Sequence, residues 1–115
     1  MMDLTIIVVG TNEKNHVFAC LKSLQEVKTS YSFETILIDN ASSDGTFEIA
    51  KEHFQDVRVV RNEKKIGYIL NNNMGMRQAQ GRYFLLVNAD IIFLKNTLQH
   101  MLDFMESHRD VGVST

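Results

Sequence analysis

The chain has 115 residues, 44% apolar and 23% charged side chains and a formal net charge of -2, which suits one globular domain and leaves no length for a second. A near-neutral chain offers no long-range field for a polyanion, so general nucleic-acid binding is excluded. The single cysteine, Cys20, rules out an internal disulfide or a cysteine-rich zinc cluster.

The chain has no proline, so its elements must be broken by Gly, Asn and Ser. Thr5 to Val9 is a continuous β-branched run, the pattern of a strand covered on both faces. Gly10-Thr11-Asn12 ends it, and Val17, Cys20, Leu21 and Leu24 then fall at helical spacing. Glu34 to Ile38 is a second buried strand, closed by Asp39-Asn40-Ala41-Ser42-Ser43-Asp44-Gly45, a dense group of turn formers and helix caps. Phe47, Ala50 and Phe54 mark a short helix, Val57 to Val60 a third strand and Arg61 to Gly67 a polar connection. Leu70, Met74 and Arg77 with Ala79 suggest a third helix, although its three asparagines are poor helix formers. Tyr83 to Val87 is a fourth strand, followed by Asn88-Ala89-Asp90 and the apolar stretch Ile91 to Leu94. Leu98, Met101, Leu102 and Met105 give a fourth helix, and Val111-Gly112-Val113 reads as the start of a further strand. No apolar run approaches the ~20 residues of a membrane span, and Met1-Met2-Asp3 is not a basic leader, so a cytoplasmic location is expected.

Alternating strands and helices predict an α/β domain with a parallel sheet and helices on its faces. Ligands of such sheets bind beyond the carboxyl ends of the strands. The loops placed there are Gly10-Thr11-Asn12, Asp39 to Gly45, Arg61-Asn62 and Asn88-Ala89-Asp90. Neither the dinucleotide Gly-x-Gly-x-x-Gly fingerprint nor a Gly-Lys-Ser/Thr phosphate loop is present. An Asp at a strand end can accept a hydrogen bond from a base or ribose. An Asp after the fourth strand can hold a hard divalent cation, which needs few protein ligands when a diphosphate supplies the rest. The helical histidines His16, His53, His100 and His108 lack metal-ligand spacing. Cys20 lies on the apolar stripe of the first helix and reads as core.

Four series of residues carry a family resemblance: Ile7-Val8-Val9-x-Thr11-Asn12, Leu37-Ile38-Asp39-Asn40-Ala41-Ser42-Ser43-Asp44-Gly45-Thr46, Val59-Val60-Arg61-Asn62 and Gly81-Arg82-Tyr83-Phe84-Leu85-Leu86-Val87-Asn88-Ala89-Asp90. Together with Ile66-Gly67-Tyr68 and Asn72-Asn73-Met74-Gly75, the sequence resembles family 2 glycosyltransferases of the GT-A, Rossmann-like fold, especially the rhamnosyltransferase-like branch. The resemblance implies that residues 1–115 are the nucleotide-diphospho-sugar-binding half of such a domain, truncated before the acceptor-binding half. It implies base recognition by Asp39, with Asn40 beside it, and Mg²⁺ or Mn²⁺ held with the diphosphate by Asp90. Thr11 and Asn12 would lie near base and ribose, Arg61 near the base and Asn88 near the ribose. Asn88 stands where the family often has Asp, which lowers the negative charge offered to a metal.

The implied reaction is inverting transfer to an acceptor hydroxyl in polysaccharide or glycoconjugate synthesis. No catalytic base is assigned among these residues; it is expected beyond Thr115. Implied partners are the sugar donor and a glycan or lipid-linked acceptor, with peripheral contact at the inner membrane face and self-association of the uncovered surface left open. The alternatives are a non-catalytic α/β binding or oligomerisation module and a sugar nucleotidyltransferase. The latter would need a Gly-rich basic loop, which Gly10-Thr11-Asn12-Glu13 is not.

Overall fold

A computed structural model describes residues 1–115. Its elements alternate as β1 (Leu4–Gly10), α1 (Lys14–Gln25), β2 (Phe33–Asp39), α2 (Thr46–His53), β3 (Arg58–Arg61), α3 (Tyr68–Gln78), β4 (Tyr83–Asn88) and α4 (Thr97–Ser107). The strands are all parallel and lie in the order β3-β2-β1-β4, which is the expected α/β sheet.

Successive residues of β1 enter two different cores. Leu4, Ile6 and Val8 pack with Val17, Cys20, Leu21 and Leu24 of α1, Ala50 of α2 and Leu98 and Leu102 of α4. On the opposite face Ile7 joins Ile36 and Ile38 beneath Met74 and Met76. Burial on both faces is why the run reads as unbroken rather than alternating.

Helix α3 forms despite its asparagines because tertiary contacts override weak local preference. Asn71 and Asn72 are buried and hydrogen-bonded, and Gly75 lets the helix lie directly on the sheet. A Cβ at Gly75 would stand 2.6 Å from Cγ2 of the fully buried Ile7. Gly75→Ala is therefore expected to destabilise the chain by about 1–3 kcal/mol of overpacking, offset by no more than ~1 kcal/mol of helix propensity. Urea unfolding would check this, and an unchanged midpoint would contradict the close approach.

Strand β4 lies at one edge of the sheet, with Phe84 and Leu86 partly open to solvent. A groove of about 800 Å³ runs along it, lined by β4, Ile91–Phe93, α4 with Met101 and Met105, and the final residues. No helix is long and apolar enough to cross a membrane.

One expected element is absent. Val111-Gly112-Val113 forms no strand; the Val111 N–H instead donates to the His108 carbonyl at 2.9 Å, closing a turn after α4. Valine favours the extended state, but a strand exists only through a hydrogen-bonded neighbour, and this segment pairs with none.

Candidate functional site

The connections from β1 lead to β2 and β3 on one side, and the chain then returns to place β4 on the other. In open α/β sheets the crevice at such a reversal, beyond the carboxyl ends of the strands, is where ligands bind. The register brings the expected loops to that edge. Gly10 is opposite Asp39, Asp39 opposite Arg61, and Val9 opposite Asn88. With strands roughly 4.8 Å apart, Asp39 and the Asn88–Asp90 loop flank β1 at a separation of roughly 10 Å.

The first two loops are bonded into one unit. The Asn40 N–H donates to the Gly10 carbonyl at 2.9 Å, and the Asn12 N–H donates to Ser42 Oγ at 2.8 Å. The Ser43 N–H donates to Asn12 Oδ1 at 2.7 Å, and the Thr11 hydroxyl reaches the Asn40 carbonyl at 3.4 Å. Asn12 and Ala41 adopt left-handed φ values of 51° and 57°. Asn tolerates that conformation, whereas Ala is strained there, and such strain persists only where surrounding bonds enforce it.

Asp44 ties this unit to two helices. Its carboxylate accepts the N–H of Lys14, the first residue of α1, at 3.0 Å, and the N–H of Thr46, the first residue of α2, at 3.1 Å. Neither helix has a cap from its own boundary residue, so one side chain caps both. Burial opposes the Asp44 charge. The Thr46 hydroxyl and the two N–H donors outweigh that opposition and hold the carboxyl below its ordinary value of 3.8. A depressed carboxyl contributes stability that is complete above its unfolded pKa and is lost as pH falls through the folded one. Asp44→Ala is accordingly expected to cost about 1–2 kcal/mol at pH 7 and to flatten the loss of stability below pH ~4. Denaturant melts at pH 7 and pH 3 would test both.

Asp39 is fully buried at the end of β2. Its Oδ1 accepts the Ser42 N–H at 3.3 Å, while Oδ2 has no hydrogen-bond partner. The nearest cation is Arg61, whose Nε lies 3.9 Å away. The guanidinium also meets Glu48 at 3.4 Å and sits 4.9 Å above the centre of the Phe47 ring, and its side chain is 46% exposed. An orphaned carboxylate oxygen inside a protein is costly, and beside a half-exposed guanidinium it is suited to accept a ligand's N–H.

Asn88, the last residue of β4, and Asp90 just after it are exposed, with Ala89 buried between them. A Cβ on Gly10 would come 3.3 Å from that of Ala89, so the loop rests against the end of β1. No group of three or more His, Cys, Asp or Glu side chains is assembled anywhere. One exposed carboxylate beside an amide fits a hard cation whose remaining ligands are diphosphate oxygens and water, and does not fit a self-sufficient metal centre. Burial, with the nearby Asp90 charge adding to it, pushes the Cys20 thiol up to about 11, so this cysteine is inert core, as expected.

The structure thus gathers Thr11, Asn12, Asp39, Asn40 and Arg61 into one bonded cluster and places Asn88 and Asp90 across β1 from it. Oδ1 of Asn12 and both Oδ1 and Nδ2 of Asn40 make hydrogen bonds within the protein. Sequence reasoning placed Asn62 in a loop at this edge but gave no site role to it, to Asn71, to which it bonds, or to Phe47 and Glu48, which hold Arg61. Only the adjacency of Asn62 to Arg61 could have signalled any of them.

Residues 5–115 match the family model described as glycosyl transferase family 2. The chain is 31% identical over 109 residues to an uncharacterized glycosyltransferase of Haemophilus influenzae, covering 95% of this chain and 36% of that protein. It is 25% identical to the poly(ribitol-phosphate) beta-N-acetylglucosaminyltransferase TarS of Staphylococcus aureus, covering 94% of this chain and 20% of TarS. The structure of TarS residues 1–349 with UDP-GlcNAc superposes with a TM-score of 0.81 at 23% identity, over 99% of this chain and 37% of that one. A Pyrobaculum calidifontis mannosyltransferase, solved with GDP-Man and Mn²⁺, gives 0.80 at 24% identity, over 89% and 32%. These likenesses bear out the GT-A fold, and the chain spans well under half the length of each relative. With the family match running through all four strands and all four helices, the chain belongs to glycosyl transferase family 2.

Proposed function

We propose that residues 1–115 form the nucleotide-diphospho-sugar-binding half of an inverting glycosyltransferase that transfers the sugar to an acceptor hydroxyl in cell-envelope glycan synthesis. The observation that carries this reading is the buried, unpartnered Oδ2 of Asp39 at the carboxyl edge of a parallel sheet. A carboxylate there accepts from a base that presents a ring N–H. Uracil, thymine and guanine do so; cytosine and adenine turn a ring-nitrogen lone pair toward it, which repels.

The base enters beside Asp39, where the half-exposed Arg61 guanidinium, resting on Phe47, borders it. Thr11 and Asn12 border the base and ribose, and Asn40 fixes the loop that carries Asp39. Across β1, Asn88 faces the ribose and Asp90 would hold Mg²⁺ or Mn²⁺ with the diphosphate; a cation there offsets charge that develops on the leaving group. No residue of this chain is assigned as the base that deprotonates the acceptor. The named activity of TarS and the sugar nucleotides in the solved neighbours support the donor class and a glycan or lipid-linked acceptor. A cytoplasmic location goes with the reading and is in keeping with a chain whose one cysteine is buried and has no second cysteine to pair with.

Calorimetry with UDP, dTDP, GDP, CDP and ADP, each with Mn²⁺, tests the proposal. At least one of the first three should bind about tenfold or more tightly than CDP and ADP, a gap of ~1.4 kcal/mol. Equal affinity for all five, or for none, would remove it.

A further inference from the structure

A polar cluster that runs from Asn40 to residues given no role above lies beside Asp39. Asn40 pairs with Ile66 as one strand pairs with another: its Nδ2 donates to the Ile66 carbonyl and its Oδ1 accepts the Ile66 N–H, both at 3.0 Å. That double bond fixes the orientation of the amide, because a flip would set donor against donor. Oδ1 then accepts a second bond, from Nδ2 of Asn62 at 3.0 Å. The other hydrogen of the same Asn62 amide goes to Asn71 Oδ1 at 2.8 Å. Asn71, at 1% exposure the most deeply buried asparagine, returns its own Nδ2 to the Ile66 carbonyl at 3.3 Å. The Asn62 N–H donates to the Asp39 carbonyl at 2.9 Å and so extends the β2–β3 ladder past Arg61.

The consequence is geometric. Residues 62–66 form no regular structure, and both ends of this segment are bonded to the residue that follows Asp39. The segment starts immediately after Arg61 and ends just before Gly67, the residue that leads into α3. Asn62 therefore sets where the Arg61 backbone leaves the sheet, and with it the 3.9 Å placement of the guanidinium over Asp39. Linked amides that satisfy one another rigidify their surroundings, and removing the central donor strands an acceptor in the interior. Pre-set loops bind more tightly because less ordering remains to be done on binding.

We infer that Asn62 and Asn71 are positioning residues for the nucleotide site, acting through Asn40 to hold Arg61 over Asp39 before the donor arrives. The inference rests on the nucleotide-binding reading above and names residues that touch no ligand themselves.

The test uses the 115-residue chain and whichever of UDP, dTDP and GDP binds it best with Mn²⁺. Asn62→Ala and Asn71→Ala are compared with Leu102→Ala, a core change in α4 among residues of the opposite face. At a temperature where all remain folded, the two asparagine variants should bind about five- to tenfold more weakly, and Leu102→Ala should bind as the unmodified chain does. In nitrogen-15 NMR of the free proteins, the Arg61 Nε–H resonance should move in the asparagine variants and stay in place in Leu102→Ala, which a purely structural role for the asparagines would not produce. Equal affinity and an unmoved Arg61 resonance in the asparagine variants would overturn the positioning role while leaving the nucleotide site intact. If no nucleotide binds the unmodified chain, the proposed function falls and this role falls with it.

Discussion

Asp39→Asn is expected to weaken nucleoside diphosphate binding about 10- to 100-fold while changing folding stability by no more than ~1 kcal/mol. The first figure follows from losing a hydrogen bond to a charged acceptor, worth about 1.5–3 kcal/mol where water is excluded. The second follows from the balance inside the free protein. Asn keeps an oxygen for the Ser42 N–H, so the one bond Asp39 makes is retained. It also removes a charge from a fully buried position with an unpartnered oxygen, which relieves a standing cost. Against that gain it gives up the long-range attraction to Arg61 at 3.9 Å, a half-exposed partner whose pairing is screened by water. The terms are of similar size and opposite sign, so stability moves little. Affinity has no such compensation, because an amide nitrogen aimed at the ring N–H presents donor to donor. Calorimetry and thermal unfolding on the same preparation read both effects. An Asp39→Asn chain that binds as well as the unmodified one would show that the orphaned oxygen is not the base contact. One that loses binding only by unfolding would show that Asp39 serves the fold.

The architecture was legible because two kinds of signal agreed. Continuous apolar runs marked strands buried on both faces, and helical stripes such as Val17, Cys20, Leu21 and Leu24 marked their covers. The same residues are the interior of the protein. Local pattern failed at Val111-Gly112-Val113, which has strand chemistry and no neighbour to pair with. In α3 the spacing of Leu70, Met74 and Arg77 named the right element across three poor helix formers, two of which are held by buried amide bonds. In the candidate site, strand-end positions named the loops that the sheet brings to one edge, since parallel strands of similar length finish level. How the side chains divide their work was not legible. Asn40 lies within the Asp39 motif, yet its amide faces Ile66 and Asn62, residues 26 and 22 positions away, and no spacing rule links them. Asp44 reads as a cap for the helix that follows it; that it also caps α1 depends on a fold-level contact 30 residues back in the chain.

Asp90→Asn is expected to leave metal-free nucleotide binding and stability unchanged and to remove most of the affinity gained on adding Mn²⁺. Asp90 is exposed, makes no ion pair and lies outside the helices and the sheet, so little in the fold depends on its charge. Surface changes of that kind usually stay within ~0.5 kcal/mol. Under the proposed function its charge matters only when a diphosphate and a cation arrive together. One carboxylate with a neighbouring Asn88 amide is too small a donor set to hold Mn²⁺ alone, and no other acidic or imidazole cluster is available to help. Binding of metal and nucleotide must then be coupled, and the coupling is reciprocal: whatever factor Mn²⁺ adds to nucleotide affinity, the nucleotide adds to Mn²⁺ affinity. Replacing the only charged member of the set should reduce that factor by at least the 10- to 100-fold that loss of a mere outer-shell partner costs a metal site. Titrations of nucleoside diphosphate with Mn²⁺, with EDTA and with Mn²⁺ alone give every term of the cycle. Tight Mn²⁺ binding without nucleotide would contradict the small donor set, and an undiminished Mn²⁺ effect in Asp90→Asn would move the cation away from β4. A Mn²⁺ effect lost in Asp90→Asn but kept in Asp39→Asn would separate the two halves of the site as the sheet does, diphosphate and cation on one side of β1 and base on the other.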